Sequence, residues 1–432
     1  MRISQMLSSV AGLAMIGATA ATVARSADAQ TIAIVGGTVY PVSGPKIEKG
    51  TVVIRDGKIV AVGANVAVPA GATRIDATGK WVTPGLFNAS TALGLSEGNV
   101  PAQSGGYNDA RAKGEKGIAA SFSAWMGMNP ASTFIAQTRR DGVTTAVVWP
   151  GSGLLVSGRA GVVDLAGESV AAMTVRGPVA MLAEIGGGSE SRAEVQGKLR
   201  ELLADAKSFA ARKAAYENGA TRAFVASRAE LEALQPVMSG KMPLAIDADR
   251  ASDIRAAVAL AQELAIKIVI VGGAEAWQVA KELAAAKVPV MVGAMNNIPT
   301  SFNTLGSRQE NAAILRAAGV HVSLIGNAGG GENNFNARNI RYEAGNAVAY
   351  GMSWDDALRA ITLAPAETFG VADKVGSLVA GREGNVVVWS GDPFEFASQA
   401  EHVFIRGVEN SGMTREEELT ARYKTKPPTY RK

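Results

Sequence analysis

The sequence predicts an α/β fold, with strand–helix units in the middle of the chain and antiparallel β regions at both ends. Three observations carry this. First, apolar runs without alternation recur through the central stretch, as strands buried on both faces do. Second, amphipathic helical segments separate them. Third, short strands bounded by glycine occupy Thr31 to about Gly85, and again from about Val375 to Val408.

The N-terminal β region reads TIAIVGGTVYPVSG and then GTVVIRDGKIVAVG, with Asp56-Gly57 between two apolar runs as a tight hairpin turn. The central strands are expected at Thr144–Trp149, Pro243–Ile246, Lys267–Val271, Val288–Val292 and Val320–Ile325. Helices are expected at Ser252–Ala265, Gln309–Ala318, Asn339–Tyr350 and Trp354–Leu363, the last capped by Ser353 with Asp355 and Asp356 in its first turn. On Ser252–Ala265 the apolar stripe is Ile254, Val258, Ala261 and Ala265, which places Asp253 on a flanking or outer position. Repeated units of this kind build a parallel sheet, either a barrel of about 250 residues or a doubly wound open sheet. The glycine-punctuated stretch Gly151–Gly177 fits neither pattern cleanly.

Composition narrows the function classes. The chain has 432 residues, 47% hydrophobic and 19% charged, with a formal net charge of +4. Its basic residues are interspersed with acidic ones, which argues against a nucleic-acid partner. There is no cysteine, so disulfides, thiolate metal sites and cysteine nucleophiles are excluded. The two histidines are His321 and His402, and both are read as structural. The first segment has Arg2, an apolar run from about Met6 to Ala24, and Ala27-Asp28-Ala29 as an A-x-A site. It is read as a signal peptide cut after Ala29, which implies a periplasmic or secreted protein.

At Val82–Leu93 the chain reads VTPGLFNASTAL. This stretch resembles the first barrel strand of the amidohydrolase superfamily, where the phrase P-G-L-(I/F)-D-A-H-T-H-L supplies two zinc-ligating histidines. The GGTV and IRDGKIVAVG hairpin, Asp76–Lys80, Thr362, Pro365-Ala366, Gly370 and Val375–Leu378 extend the likeness over the chain from Thr31 onward. The flavour is that of imidazolonepropionase-like and exported dipeptidase-like members. The resemblance implies a (β/α)8 TIM-like barrel beside a small β-sandwich built from both chain ends. The parts are then a signal peptide at 1–29, sandwich strands at 30–84, the barrel at 85–370, returning sandwich strands at 371–412 and a charged tail at 413–432, expected as a surface helix against the sandwich.

The family hydrolyses amide, lactam or ester-like bonds with a metal-bound hydroxide. The positions matching its metal ligands hold Ser90, Ala92, Asp247, Gly272 and Asn327. Alanine and glycine offer no donor, a neutral serine is a poor zinc ligand, and asparagine takes up no proton at neutral pH. Zinc serves the active relatives, and no cofactor is expected here. Restoring histidine at 90, 92, 247 and 272 and aspartate at 327 is expected to regenerate zinc affinity. The leading function is a catalytically inactive paralogue that binds a small molecule or partners an active amidohydrolase or a second copy of itself. The alternative is a hydrolase of C–N bonds in which Glu184, Asp247 and Asp249 surround a hard cation or work without metal. Candidate pocket residues are Glu184, Asp249, Glu332 and Arg338.

Other motifs carry less. Gly94–Gly98 (GLSEG) matches G-x-S-x-G, but the following Asn99-Val100-Pro101 opens no helix, so the match is read as chance. Gly186–Gly188 and Gly329–Gly331 are read as loops at the barrel mouth. The loop bearing Glu332, Asn333, Asn334, Asn336 and Arg338 is either solvated or a polar rim for a ligand.

Overall fold

A computed structural model describes residues 31–97, 107–186, 191–327 and 335–424. The leader at 1–29, most of both triple-glycine runs, Glu332 and the end of the tail lie outside the described residues. Among the described residues, no helix is long and apolar enough to cross a membrane.

The N-terminal region forms β1 (Thr31–Val39), β2 (Ile47–Arg55), β3 (Lys58–Gly63), β4 (Thr73–Asp76) and β5 (Trp81–Pro84). Asp56 and Gly57 take φ of 51° and 77°, so both central turn residues are left-handed, as the tight turn joining β2 to β3 requires. The barrel strands are β6 (Leu86–Thr91), β7 (Val143–Val148), β8 (Val156–Asp164), β9 (Thr174–Glu184), β10 (Leu244–Ala248), β11 (Ile268–Gly272), β12 (Val290–Val292) and β13 (Val322–Leu324). The chain ends in β14 (Val386–Trp389), β15 (Ala400–Ile405), β16 (Val408–Glu409) and a helix at Arg415–Lys424.

Strands β6 to β13 are bonded in chain order into one sheet. It nearly closes, and beyond β13 the Phe87 N–H is taken by the carbonyl of Ile361 at 2.8 Å. The barrel is therefore present, and the open doubly wound sheet is not. One strand departs from strict (β/α)8 order: β8 runs antiparallel to both β7 and β9. This is the glycine-punctuated stretch that fitted neither pattern. Its glycines are steric necessities, because a Cβ on Gly161 would sit 2.4 Å from the Trp125 ring, and one on Gly158 2.8 Å from the Phe122 carbonyl oxygen.

Alternation fills the interior. Phe87, Ala89, Val147, Leu182, Ala245, Val269, Met291 and Ile325 form a buried cluster capped by Phe369. Leu244 and Ile246, on the opposite parity of β10, pack outward with the helices.

The second sheet has the order β16-β15-β14-β5-β1-β2-β3, with β4 on the first half of β1, so both chain ends share it. Ile34, Val52, Ile54, Val82, Val388 and Phe404 from five of its strands enclose their own core. Trp389 locks this sheet to the barrel. It is fully buried, its indole N–H donates to Thr83 Oγ1 at 2.9 Å, and its ring lies 2.3 Å from where a Cβ on Gly142 would be.

The terminal helix forms on the surface, burying no residue, and its Glu417 pairs with Arg140 of the helix Thr133–Arg140 at 3.4 Å. One local expectation is corrected. Asp253 is buried rather than outer, because a guanidinium waits for it.

Candidate functional site

The C-terminal ends of the barrel strands form the candidate site, and β9 and β10 supply its centre. Asp247 pairs in register with Glu184, and both follow inward-facing residues, Ala245 and Leu182, by two positions. Period-two alternation thus delivers two carboxyl groups side by side at the mouth. Asp249 lies just past β10 and accepts the Ala274 N–H at 3.2 Å. With Gly186, Arg192, Asp253 and Asn303 these residues line a cleft of about 170 Å³. Arg192 is engaged. Its Nε donates to both carboxylate oxygens of Asp253, at 2.9 and 3.1 Å, and its Nη2 to Asn303 Oδ1 at 2.9 Å.

Four carboxyl groups therefore line a small space, and the Arg192 guanidinium beside them is already paired with Asp253. Burial, then the charges of Asp249 and Glu184, push the Asp247 carboxyl up to about 7. Burial also raises Asp249, with Glu275 and Asp253 adding to it against the Ala274 hydrogen bond. The unfolded chain releases the Asp247 proton near 3.8, whereas the fold holds it to about 7. Stability that is present at low pH is accordingly lost as pH climbs between those values. Asp247→Asn is expected to match the parent near pH 4 and to exceed it by up to about 4 kcal/mol near pH 8, less whatever solvent screening removes. Urea unfolding at the two pH values measures this, and an equal gap at both would refute it.

The positions matching family metal ligands are not assembled as ligands. Pairing of β6 with β7 slips between Asn88 and Thr91, and Ala92 lies beyond the strand, so strict alternation does not carry through 90 and 92. The Ser90 N–H is turned to Asn88 Oδ1 at 3.0 Å. Gly272 has φ +89°, and a Cβ there would meet Asp249 Oδ1 at 2.8 Å and Asp247 Oδ1 at 3.6 Å.

Asn327 is fully committed. Its Oδ1 accepts the N–H groups of Met295 and Asn296, at 3.2 and 3.0 Å, and its Nδ2 donates to Asn297 at 2.9 Å. It also lies on Gly293, where a Cβ would come within 2.1 Å of its Cγ. Among the described residues, no three His, Asp or Glu side chains are grouped so as to hold a metal ion. The donors at the five positions do not fit zinc, and the arrangement of Glu184, Asp247 and Asp249 does not support the hard-cation reading.

Of the candidate pocket residues, Glu184 and Asp249 are brought to Asp247. Arg338 is not, because it pairs with Asp141 Oδ2 at 3.4 Å, and Glu332 lies outside the described residues. His321 is hydrogen-bonded to the Ala364 carbonyl at 2.9 Å and His402 to Glu409 at 2.6 Å, both away from the mouth. Sequence reasoning missed Arg192, Asp253, Asn303 and above all Glu343. Fully buried, Glu343 accepts N–H groups from Ala294, Met295 and Asn327. The signal for it was present: in Ile340–Ala349, Glu343 shares the inward face with Ile340, Ala344 and Ala347.

The amidohydrolase family model matches residues 131–411. The chain belongs to the amidohydrolase family. It is 26% identical over 376 residues to an imidazolonepropionase of Acidiphilium cryptum, covering 81% of this chain and 89% of that protein. An imidazolonepropionase of Mesorhizobium japonicum is 24% identical over 382 residues, covering 79% and 87%. Among solved structures, an amidohydrolase from Thermotoga maritima superposes with a TM-score of 0.79 at 29% identity, covering 88% of this chain and 99% of that one. This family member is thus imidazolonepropionase-like in sequence and carries the family's barrel, with the ligand positions filled as described.

Proposed function

We propose that this amidohydrolase-family protein is exported, has given up hydrolysis by a metal-bound hydroxide, and acts as a ligand-binding protein or as the partner of an active family member. The observation that carries the reading is the state of positions 272 and 327: one is a left-handed glycine where any side chain would collide with the Asp249 carboxylate, and the other is an asparagine with both amide atoms in use. Neither can offer a lone pair to a metal without rearrangement of the mouth. The test is protein purified without chelators, analysed for zinc and assayed on the imidazolonepropionate that the relatives' name denotes. Zinc well below one per chain and no turnover are expected. Close to one zinc per chain surviving dialysis, with turnover, would sink the proposal.

Export rests on the leader at 1–29, and its cleavage should give a mature chain beginning at Gln30. Intact-mass measurement of the exported form checks this; Met1 retained in a membrane fraction would contradict it.

A second reading is favoured by the meeting of Glu184, Asp247 and Asp249. A carboxyl that keeps its proton to about pH 7 beside two further carboxyl groups is the pairing that general acid–base hydrolysis needs. Metal-free turnover that disappears in Asp247→Asn would select this reading over the first.

A further inference from the structure

The opposite end of the barrel carries a second cavity, of about 590 Å³. That is the size of small-molecule sites. It opens where β9, β10, β11 and β12 begin, away from the carboxylate cleft at their far ends. Its floor is the barrel's own packing, since Val179, Val269 and Phe369 belong to the interior cluster. Val258 and Ala261 of the helix Ala251–Leu264 form an apolar wall.

Cations surround this apolar floor. Lys241, Lys267 and Lys287 line the cavity, each a few residues at most ahead of β10, β11 or β12, and Arg176 of β9 joins them. All three lysines are exposed, and among the described residues none of them has an ion pair or a side-chain hydrogen bond. Arg176 gives one N–H to the Gly370 carbonyl at 2.6 Å. The single carboxylate in the lining, Glu367, is held by Arg359 at 2.6 Å and faces His321 at 3.8 Å. Pro178, Pro243 and Pro289 lie in the lining and offer no N–H, so charge recognition falls to the lysines.

A lysine after a helix C-terminus complements the helix dipole, and each of the three follows a helix. That accounts for the charges but not for the concavity or its apolar floor. We propose that this cavity is a second binding site, for a small amphiphilic anion: a carboxylate whose alkyl or aryl body lies against the half-buried Pro178, Val258, Ala286 and Pro289 while its charge meets the lysines.

The test is calorimetric titration of the mature chain with octanoate, and with octanol and acetate in separate arms. One saturable octanoate site is expected, weakened by added salt, with octanol and acetate at least about tenfold weaker. Lys267→Glu with Lys287→Glu should weaken octanoate at least about tenfold, and Val258→Trp, which fills the wall, should abolish binding. Asp247→Asn, at the other end, should leave octanoate binding unchanged. The proposal is overturned if folded parent binds no octanoate, or if octanol binds as tightly. It is overturned equally if the lysine pair variant, or a folded Val258→Trp, binds octanoate like the parent.

Discussion

Glu343→Ala is expected to destabilise the protein by about 3–5 kcal/mol, the largest single-residue effect foreseen here. The carboxylate is fully buried and accepts the Ala294 N–H at 2.5 Å, the Met295 N–H at 2.8 Å and the Asn327 N–H at 2.8 Å. These donors belong to the two segments that leave β12 and β13. Alanine would strand the Ala294 and Asn327 N–H groups and leave Met295 only its longer bond to Asn327 Oδ1, and each buried orphan costs about 1–3 kcal/mol. Glu343→Gln should fall between parent and alanine, because its one oxygen can still accept while its NH2 opposes the remaining donors. Thermal and urea unfolding of the three proteins checks the order. A Glu343→Ala variant that melts like the parent would show that these bonds are not holding the mouth.

The second large effect concerns restoration of the family's ligand set. The sequence alone predicts that Ser90→His, Ala92→His, Asp247→His, Gly272→His and Asn327→Asp together regain zinc, and the geometry reverses that expectation. A side chain at 272 must adopt φ +89° with its Cβ 2.8 Å from Asp249 Oδ1. Backbone strain of that kind costs about 1–3 kcal/mol before the clash is counted. At 327 an aspartate can still accept from Met295 and Asn296 but loses the amide donor that reaches Asn297.

The fivefold variant is therefore expected to lose about 3–5 kcal/mol and to bind no stoichiometric zinc. A fourfold set that keeps Gly272 should retain the fold, again without tight zinc. Melting curves and zinc calorimetry on both sets decide it. A folded fivefold protein that binds one zinc per chain would mean that the mouth relaxes more readily than its contacts imply.

The contrast between positions 247 and 327 shows how far residue identity reaches. Asp247 was legible as an acid at a strand end, and strict alternation from Ala245 places it at the mouth. Glu184 and Asp249 were legible as candidate companions but their meeting was not, because they reach Asp247 only through the register of β9 with β10 and the turn after β10. Asn327 was legible as unable to act as a base. That both its amide atoms are in use depends on a loop some thirty residues earlier in the chain. Glu343 was visible as an acid on an apolar helix face, yet its role needed the two strand ends that it ties.

Local pattern determined the parts of this protein. Unbroken apolar runs specified strands covered on both faces, helical periodicity specified the layer around them, and Asp56-Gly57 fixed its hairpin, because each depends only on neighbours in the chain. Residue identity at five positions, together with the scarcity of histidine, set the expectation that the family's zinc chemistry lacks its donors. Tertiary structure alone decided that β8 runs backwards, that Asp253 faces inward to Arg192, that Glu184, Asp247 and Asp249 join it in one cleft, and that lysines from three separate loops line a cavity with an apolar floor at the other end. Those facts rest on register, close approach and burial between residues far apart in the chain, and free energies of that kind do not exist until the chain has folded.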